Sequence, residues 1–551
     1  AADLRETLTI GSVMGHDFFA QVVARVQNVA EREMIKQLSR ELEKRYHLVQ
    51  AEGESKVGQH FLSRYRFAHT MFQQFLYNDL SAGERRLLHG DVALALEALY
   101  EGRTEASAVQ LAHHYAAAGD EAKAAAYEIQ AGDASKRAFA YTEARLHYRH
   151  ALELLTSLEQ TPAVQRTRID TTINYVDSGY NSEVVVQLFT ELKAAERFLQ
   201  GLPLPLDHAD RTRRAYLHGW LAYLHEFLND STAAFAYAQP LLEETKALGN
   251  QELSLEVAGL LGWIYALRGR FAQSLPLLTP SVANLDTRVS WPKWVQSATG
   301  LSFALAGGGR CAEGIAMAQK CVWLGQEAQH DLTVATGHGY LALIYLMIGD
   351  DIRTFEAAQS CIQAAERGNE LSYVVHGYTL QGFAQSRQGQ HELARQSIER
   401  AQQLAQRLNS AWLNRLLLLL GAEIALHSGH YAEAIAQSEQ VVALAQTADN
   451  LWIQGRAQRT WAQALAADLT AGEQVAEHLA ASLDAFGSGA AHIEAAHTHA
   501  VWGQLLAQRE QSTEAQIHLA QAAAQYEQAG LLPQLADVRA LLGAASSAAG
   551  S

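Results

Sequence analysis

The chain has 551 residues, 48 % of them hydrophobic, which is ample for a buried core. Eight Pro and 39 scattered Gly exclude a collagen-like, Pro-rich or disordered chain. A net charge of −16 disfavours general nucleic-acid binding, because an acidic surface repels phosphate.

The three cysteines, Cys311, Cys321 and Cys361, are too few for a disulfide framework and point to a reducing, cytoplasmic setting. The most apolar stretch, Leu416–Leu426, contains Glu423 and is too short to span a bilayer, so no membrane partner is expected. The chain starts Ala1-Ala2-Asp3 with no signal-like run and no Met, and reads as a piece of something longer.

Residues 1–100 differ in kind from the rest. Asp17 is placed to cap a helix through about Val26, and Glu31–Arg45 is a charged amphipathic helix. Tyr46–Gln50 and Phe61–Phe67 alternate around a turn at Glu52-Gly53, which reads as a β-hairpin. His69–Leu80 returns to helix, and Ser81-Ala-Gly-Glu84 is a capping box for the next one. Helix–helix–hairpin–helix is the order of a winged-helix-like domain. Met34–Arg45 mixes Lys36, Arg40, Lys44 and Arg45 with Glu41 and Glu43, and His69–Leu80 has no Lys or Arg. A packing module is therefore preferred over a DNA reader.

Residues 101–206 read as a helical linker with short hairpins around 105–155, broken at Gly201-Leu-Pro-Leu-Pro205. A regular array follows over 207–535, then a flexible tail over 536–551. In the array Gly269, Gly309, Gly349, Gly389 and Gly429 recur every 40 residues, with Asn229-Asp230 in the same slot one period earlier. Small residues recur before that turn (Ala222, Gly262, Ser302, Ala342, Gly382, Ala422, Ala462) and after it (Ala234, Ser274, Gly314, Thr354, Ala394, Ala434). A second turn recurs at Gly249-Asn250, His330-Asp331, Gly368-Asn369, Leu408-Asn409 and Asp449-Asn450. Each period is two antiparallel helices in close contact. The fold class is thus an all-α superhelical solenoid behind a small domain with a β-hairpin.

This pattern resembles the tetratricopeptide repeat. Gly262, Tyr265, Gly269 and Ser274 fit it, as do Ala342, Tyr345 and Gly349, and Gly429, Tyr431 and Ala434. The period of 40 exceeds that family's usual length of about 34. Lengthened repeats look like those in sensor arms of bacterial signalling ATPases. The segment Tyr65–Tyr77, with Arg85-Arg86 after it, is similar to the winged-helix part of signal-transduction ATPases with numerous domains, the STAND class. That resemblance implies a non-catalytic sensor or scaffold arm, with an upstream ATPase domain as partner. It also implies that His69 touches the nucleotide's phosphate in the parent protein; capping its helix or packing under the wing is the alternative. A free-standing interaction scaffold is the rival reading.

No catalytic or cofactor motif stands out. The phosphate loop is absent, and Gly307-Gly308-Gly309-Arg310 lacks its Lys and follows a helix. His113-His114 and His497-x-His499 have the wrong helical spacing for a metal site. Cys321 and Cys361, one period apart, read as small core residues. The remaining candidate is a concave groove for a protein, peptide or small-molecule effector. Tyr223, Trp263, Phe303, Leu343 and Phe383 share one register along it, with Glu226, Thr299, His376, Arg456 and Arg459 at nearby inward positions.

Overall fold

The computed structural model describes residues 2–57, 60–100, 102, 104–179, 185–228, 231–284, 291–408, 410–467 and 472–549. Its contacts divide the chain into two units, one of residues 1–179 with 197–204 and one of residues 180–196 with 205–551.

The first unit opens with a helix, Ala2–Met14, that the sequence reading did not pick out. Three strands follow, β1 (Asp17–Phe19), β2 (Val49–Val57) and β3 (His60–Phe67), in one antiparallel sheet of order β1-β3-β2. Asp17 does not cap a helix. It lies opposite Arg66 in the sheet and accepts from its Nε at 2.6 Å and Nη2 at 3.0 Å. Those bonds hold its carboxyl below the usual range, and the helix starts later, at Ala20.

Glu52-Gly53 is not the hairpin turn either. The positive φ of Gly53, 105°, is used at a β-bulge between Ala51 and Gly53, and β2 runs on to Val57. The helix Glu31–Lys36 continues as wider turns through Glu43, burying Met34, Leu38 and Leu42 at four-residue spacing. Ser81 and Glu84 form a reciprocal cap: Ser81 N donates to Glu84 Oε2 at 2.8 Å, and Glu84 N to Ser81 Oγ at 3.3 Å.

A single core runs from Leu8 through Tyr115 to Ala124 and joins residues on both sides of position 100. The hairpin helices Ala108–Ala118, Glu121–Arg137 and Tyr141–Ser157 follow. A Cβ on Gly132 would lie 2.7 Å from the Tyr148 ring, which explains a glycine in mid-helix there.

The second unit is a solenoid of tetratricopeptide-like helical hairpins. Inner helices such as Gln251–Leu267, Asp331–Met347, Leu371–Arg387, Ala411–His427, Leu451–Leu465 and His492–Gln508 alternate with outer ones such as Phe271–Asn284 and Asp351–Arg367. Gly269, Gly309, Gly349, Gly389 and Gly429 all take positive φ, between 71° and 95°, and end the inner helices. At the second turn the left-handed residues are Gly249, Gln329, Asn369 and Asp449. Asn229-Asp230 and Asn409 lie outside the described residues.

The two rows of small residues meet. A Cβ on Gly262 would lie 2.7 Å from Leu278, one on Gly314 would lie 2.5 Å from Ser302 O, and Ser274 Oγ donates to Gly262 O at 2.7 Å. Cys321 and Cys361 are free and buried, and burial raises both thiols, Cys321 to about 12. The expected flexible tail is instead a helix, Leu532–Ala549, held by buried Leu535, Val538 and Ala545 on one face.

Distant repeats of this unit also touch. The turn after Leu267 docks on the turn before Leu451. Leu451 N donates to Arg268 O at 2.9 Å, Asn450 Nδ2 donates to Leu267 O at 3.0 Å, and Arg270 pairs with Asp449 at 2.6 Å. Farther along, His497 Nε2 lies 2.8 Å from Met347 O, and Gln534 Nε2 donates to Ile348 O at 2.7 Å. The superhelix therefore winds tightly enough for one turn to close on the next.

Candidate functional site

That closure decides where the inward residues stand. Trp263, Phe303 and Phe383 share the inner register, but they do not stand open along a groove: their exposures are 6 %, 1 % and 5 %. The next superhelical turn covers Phe303. Phe303 packs edge-on against Trp452, 5.5 Å between ring centroids, and against Phe271 at 5.3 Å. Tyr223 stacks on Trp263 at 5.1 Å, and Trp263 Nε1 donates to Tyr340 OH at 2.9 Å. Glu226 is buried in an ion pair with Arg268, whose Nε donates to it at 3.1 Å.

Two cavities of the unit are lined by these inward residues. The smaller, about 50 Å³, is lined by Tyr223, Trp263, Tyr340, Tyr373, His376 and Trp412. The His376 ring stacks on Trp412 at 5.6 Å, and burial lowers its pKa to about 4, so it is neutral near pH 7. The ring is placed to donate from Nε2 to Gly339 O, 3.4 Å away.

The larger cavity, about 300 Å³, lies between the inner helices from Asp331 to Leu465 and those from His492 onward. Its wall holds Phe383, Arg456 and Arg459, so the inward candidates split between the two cavities. Glu226 and Phe303 line neither.

The floor of the larger cavity is a buried ion network. Arg456 donates to Glu423 from Nε at 2.9 Å and from Nη2 at 2.7 Å, and to Glu494 from Nη1 at 3.1 Å. Arg459 Nη2 donates to Glu494 at 2.6 Å. Burial alone would raise the Glu494 carboxyl, but the two guanidiniums outweigh it and hold it at about 2. Desolvation opposes the Arg456 charge, and its two carboxylate partners more than restore it.

Around this floor stand Asp351, Arg387, His427, His497, Tyr526 and Gln534. His427 and His497 are both lowered to about 4, chiefly by desolvation. Such a wall, half polar and half apolar, suits an amphipathic ligand.

Sequence reasoning missed most of these groups. Continuing the 40-residue register past Phe383 gives Glu423 and Gln463, which both line the cavity. Glu494, His497 and Gln534 belong to the opposing superhelical turn and carry no such signal.

In the first unit, His69 precedes the helix Thr70–Asp79 but makes no side-chain cap bond; its ring is exposed and lies 5.6 Å from Phe72. That helix buries none of its residues and shows Met71, Phe72 and Phe75 to the outside. His114 meets His89 at 2.8 Å, and His89 meets Tyr77 OH at 3.1 Å. Among the described residues, no group of three or more His, Cys, Asp or Glu is placed to hold a metal, and no helix is long and apolar enough to cross a membrane.

No family model and no curated protein matches the chain. Solved structures do. A Rap protein complexed with competence and sporulation factor is similar at TM-score 0.51 and 12 % identity, over 66 % of this chain and 98 % of that one. A STAND protein with a tetratricopeptide repeat sensor from Pyrococcus horikoshii aligns at TM-score 0.35 and 13 % identity, over 88 % of this chain and 63 % of that one. The NprR protein in complex with its cognate peptide NprX aligns at TM-score 0.45 and 13 % identity, over 62 % and 97 %. At such identities the likeness to the Rap protein speaks to the fold.

Proposed function

We propose that the repeat unit is the non-catalytic sensing arm of a regulatory protein, and that an effector binds inside the superhelix. The observation that carries this reading is the roughly 300 Å³ cavity walled by the Arg456–Glu423–Glu494–Arg459 network. Buried charges are costly to enclose, and a binding function gives them a use beyond stability. The smaller aromatic cavity at Trp263 and His376 is a second contact point on the same inner face. The Rap protein of similar fold was solved with competence and sporulation factor, and NprR with a peptide. A peptide or small amphipathic molecule is the effector class we favour.

We further propose that residues 1–100 form a winged-helix module that packs on an upstream ATPase domain in a STAND-type parent. The exposed Met71, Phe72 and Phe75 are its contact surface, and exposed His69 is its link to the nucleotide. Binding in the arm would then release that ATPase, and the protein would work in the cytoplasm.

Filling the cavity tests the core of this reading. Val501 lines it and is only part-buried, so Val501→Trp should occupy the space without a large loss of folding. A peptide and metabolite library screened by thermal shift should yield binders for the native protein that the filled variant does not take. Binders that shift both proteins equally would place the site elsewhere.

A further inference from the structure

The larger cavity has an uneven hydrogen-bond balance. Arg456 and Arg459 are occupied by Glu423 and Glu494. Near the turn at Gly349, by contrast, two buried oxygens accept no hydrogen bond: Asp351 Oδ1 and Gln534 Oε1. Gln534 donates from Nε2 to Ile348 O at 2.7 Å, which fixes its amide orientation and leaves Oε1 as the free end. Asp351 Oδ2 faces Arg387 Nε at 3.4 Å, a loose pairing. Buried acceptors without donors are costly, so a donor brought by a ligand is favoured there.

The charge count points the same way. Asp351, Glu423, Glu494 and Asp537 line the cavity against Arg387, Arg456 and Arg459, an excess of one negative charge. His427 and His497 add none near pH 7, since both are held at about 4. Leu346, Met347, Val538 and Leu541 supply an apolar wall beside these acceptors. The chain's net charge of −16 would draw cations toward it.

Resting on the reading of this cavity as the effector site, we propose that it takes a ligand with one cationic nitrogen on an apolar stem. Asp351 and Gln534 accept hydrogen bonds from that amine or guanidinium, and the stem lies on Leu346 and Val538. A basic side chain of a short peptide and a free alkylamine or alkylguanidine share this chemistry.

The test uses the full chain and calorimetric titration with four probes. Three are N-acetyl dipeptide amides, Leu-Arg, Leu-Gln and Leu-Glu; the fourth is pentylguanidine. The Leu-Arg probe should bind, Leu-Gln about tenfold or more weakly, and Leu-Glu not at all up to about 1 mM. Binding of pentylguanidine as well would assign recognition to the cation alone, and its failure beside Leu-Arg binding would assign part of it to the peptide groups; both support the charge preference. Asp351→Asn should remove the preference for Leu-Arg over Leu-Gln. Gln534→Met leaves the helix start at Asp351 untouched; it gives up the bond to Ile348 O, so a small fall in melting temperature is expected, and it should weaken Leu-Arg binding by the folded protein.

Equal or tighter binding of Leu-Glu, blocked by Val501→Trp, would overturn the cationic assignment and leave the effector site standing. A Leu-Arg preference that survives both variants at Asp351 and Gln534 would also overturn it. No binding of any probe, or binding that Val501→Trp does not block, would defeat the assignment and count against the site itself.

Discussion

Single residues set how closely the helices of the array can approach. A Cβ on Gly382 would already lie 3.0 Å from Ile398 and 3.1 Å from Ala394 O. Gly382→Leu should therefore cost about 1–3 kcal/mol or more by overpacking, read from the chemical-denaturation midpoint; an unchanged midpoint would place that position outside the helix contact. Glu494 is fully buried between Arg456 and Arg459, and Glu494→Ala would strip both guanidiniums of a carboxylate. A loss of about 3–5 kcal/mol is expected, and a loss near zero would mean that water compensates the two arginines.

Buried histidines give the protein an acid limit. His114 is lowered to about 3, and His376 and His497 to about 4, from an ordinary 6.5. Their folded-state values lie below the unfolded ones, so the unfolded chain binds protons first. Their contribution is complete above pH 6.5 and is lost as pH falls toward 4. The melting temperature should be flat above about pH 7 and drop steadily below 6.5; a curve flat down to pH 4.5 would contradict the burial of these rings.

At the scale of elements, turns that look alike in the sequence differ in what surrounds them. Gly269 and Gly429 share a register and a positive φ, 71° and 76°. A Cβ on Gly429 would meet nothing, whereas one on Gly269 would lie 2.6 Å from Trp452 Cβ and 2.8 Å from its backbone nitrogen. Gly429→Ala should cost about 1 kcal/mol, the left-handed penalty alone. Gly269→Ala should cost distinctly more, because backbone cannot step aside; equal melting shifts would mean that the two superhelical turns do not touch in solution. The hairpins and their two turns were legible because every period repeats the same local demand, a left-handed stop and a small residue at each crossing. Asp17 was misread because its role depends on Arg66, which the chain brings back from 49 residues away. The bulge at Gly53 was misread for a turn because both need a positive φ.

At the scale of the molecule, ordinary repeat arrays hold together through neighbours alone. Here the Leu267–Arg270 turn also depends on Asp449–Trp452, and Met347 on His497. Removing residues 446–551 should therefore loosen the repeats around Gly269 and Phe303, although they keep their adjacent partners. Amide exchange in Gln251–Leu267 should quicken in the truncated chain; unchanged protection there would restore a purely neighbour-coupled array. This closure was not legible in the sequence. Periodicity says which face of each helix turns inward, but superhelical pitch sums small rotations over several repeats, and no single residue type reports it. Periodicity therefore could not report how far the candidate rings are covered.

The bond from Leu451 N to Arg268 O and the Arg270–Asp449 pair have a kinetic meaning as well. Segments 179 residues apart in sequence must find each other before these bonds can form, so the contact should be made late in folding and lost early in unfolding. Arg270→Ala should then speed unfolding and leave the folding rate nearly unchanged, read from the two arms of a denaturant chevron. A slowed folding arm would mean that the coils meet before the hairpins are complete.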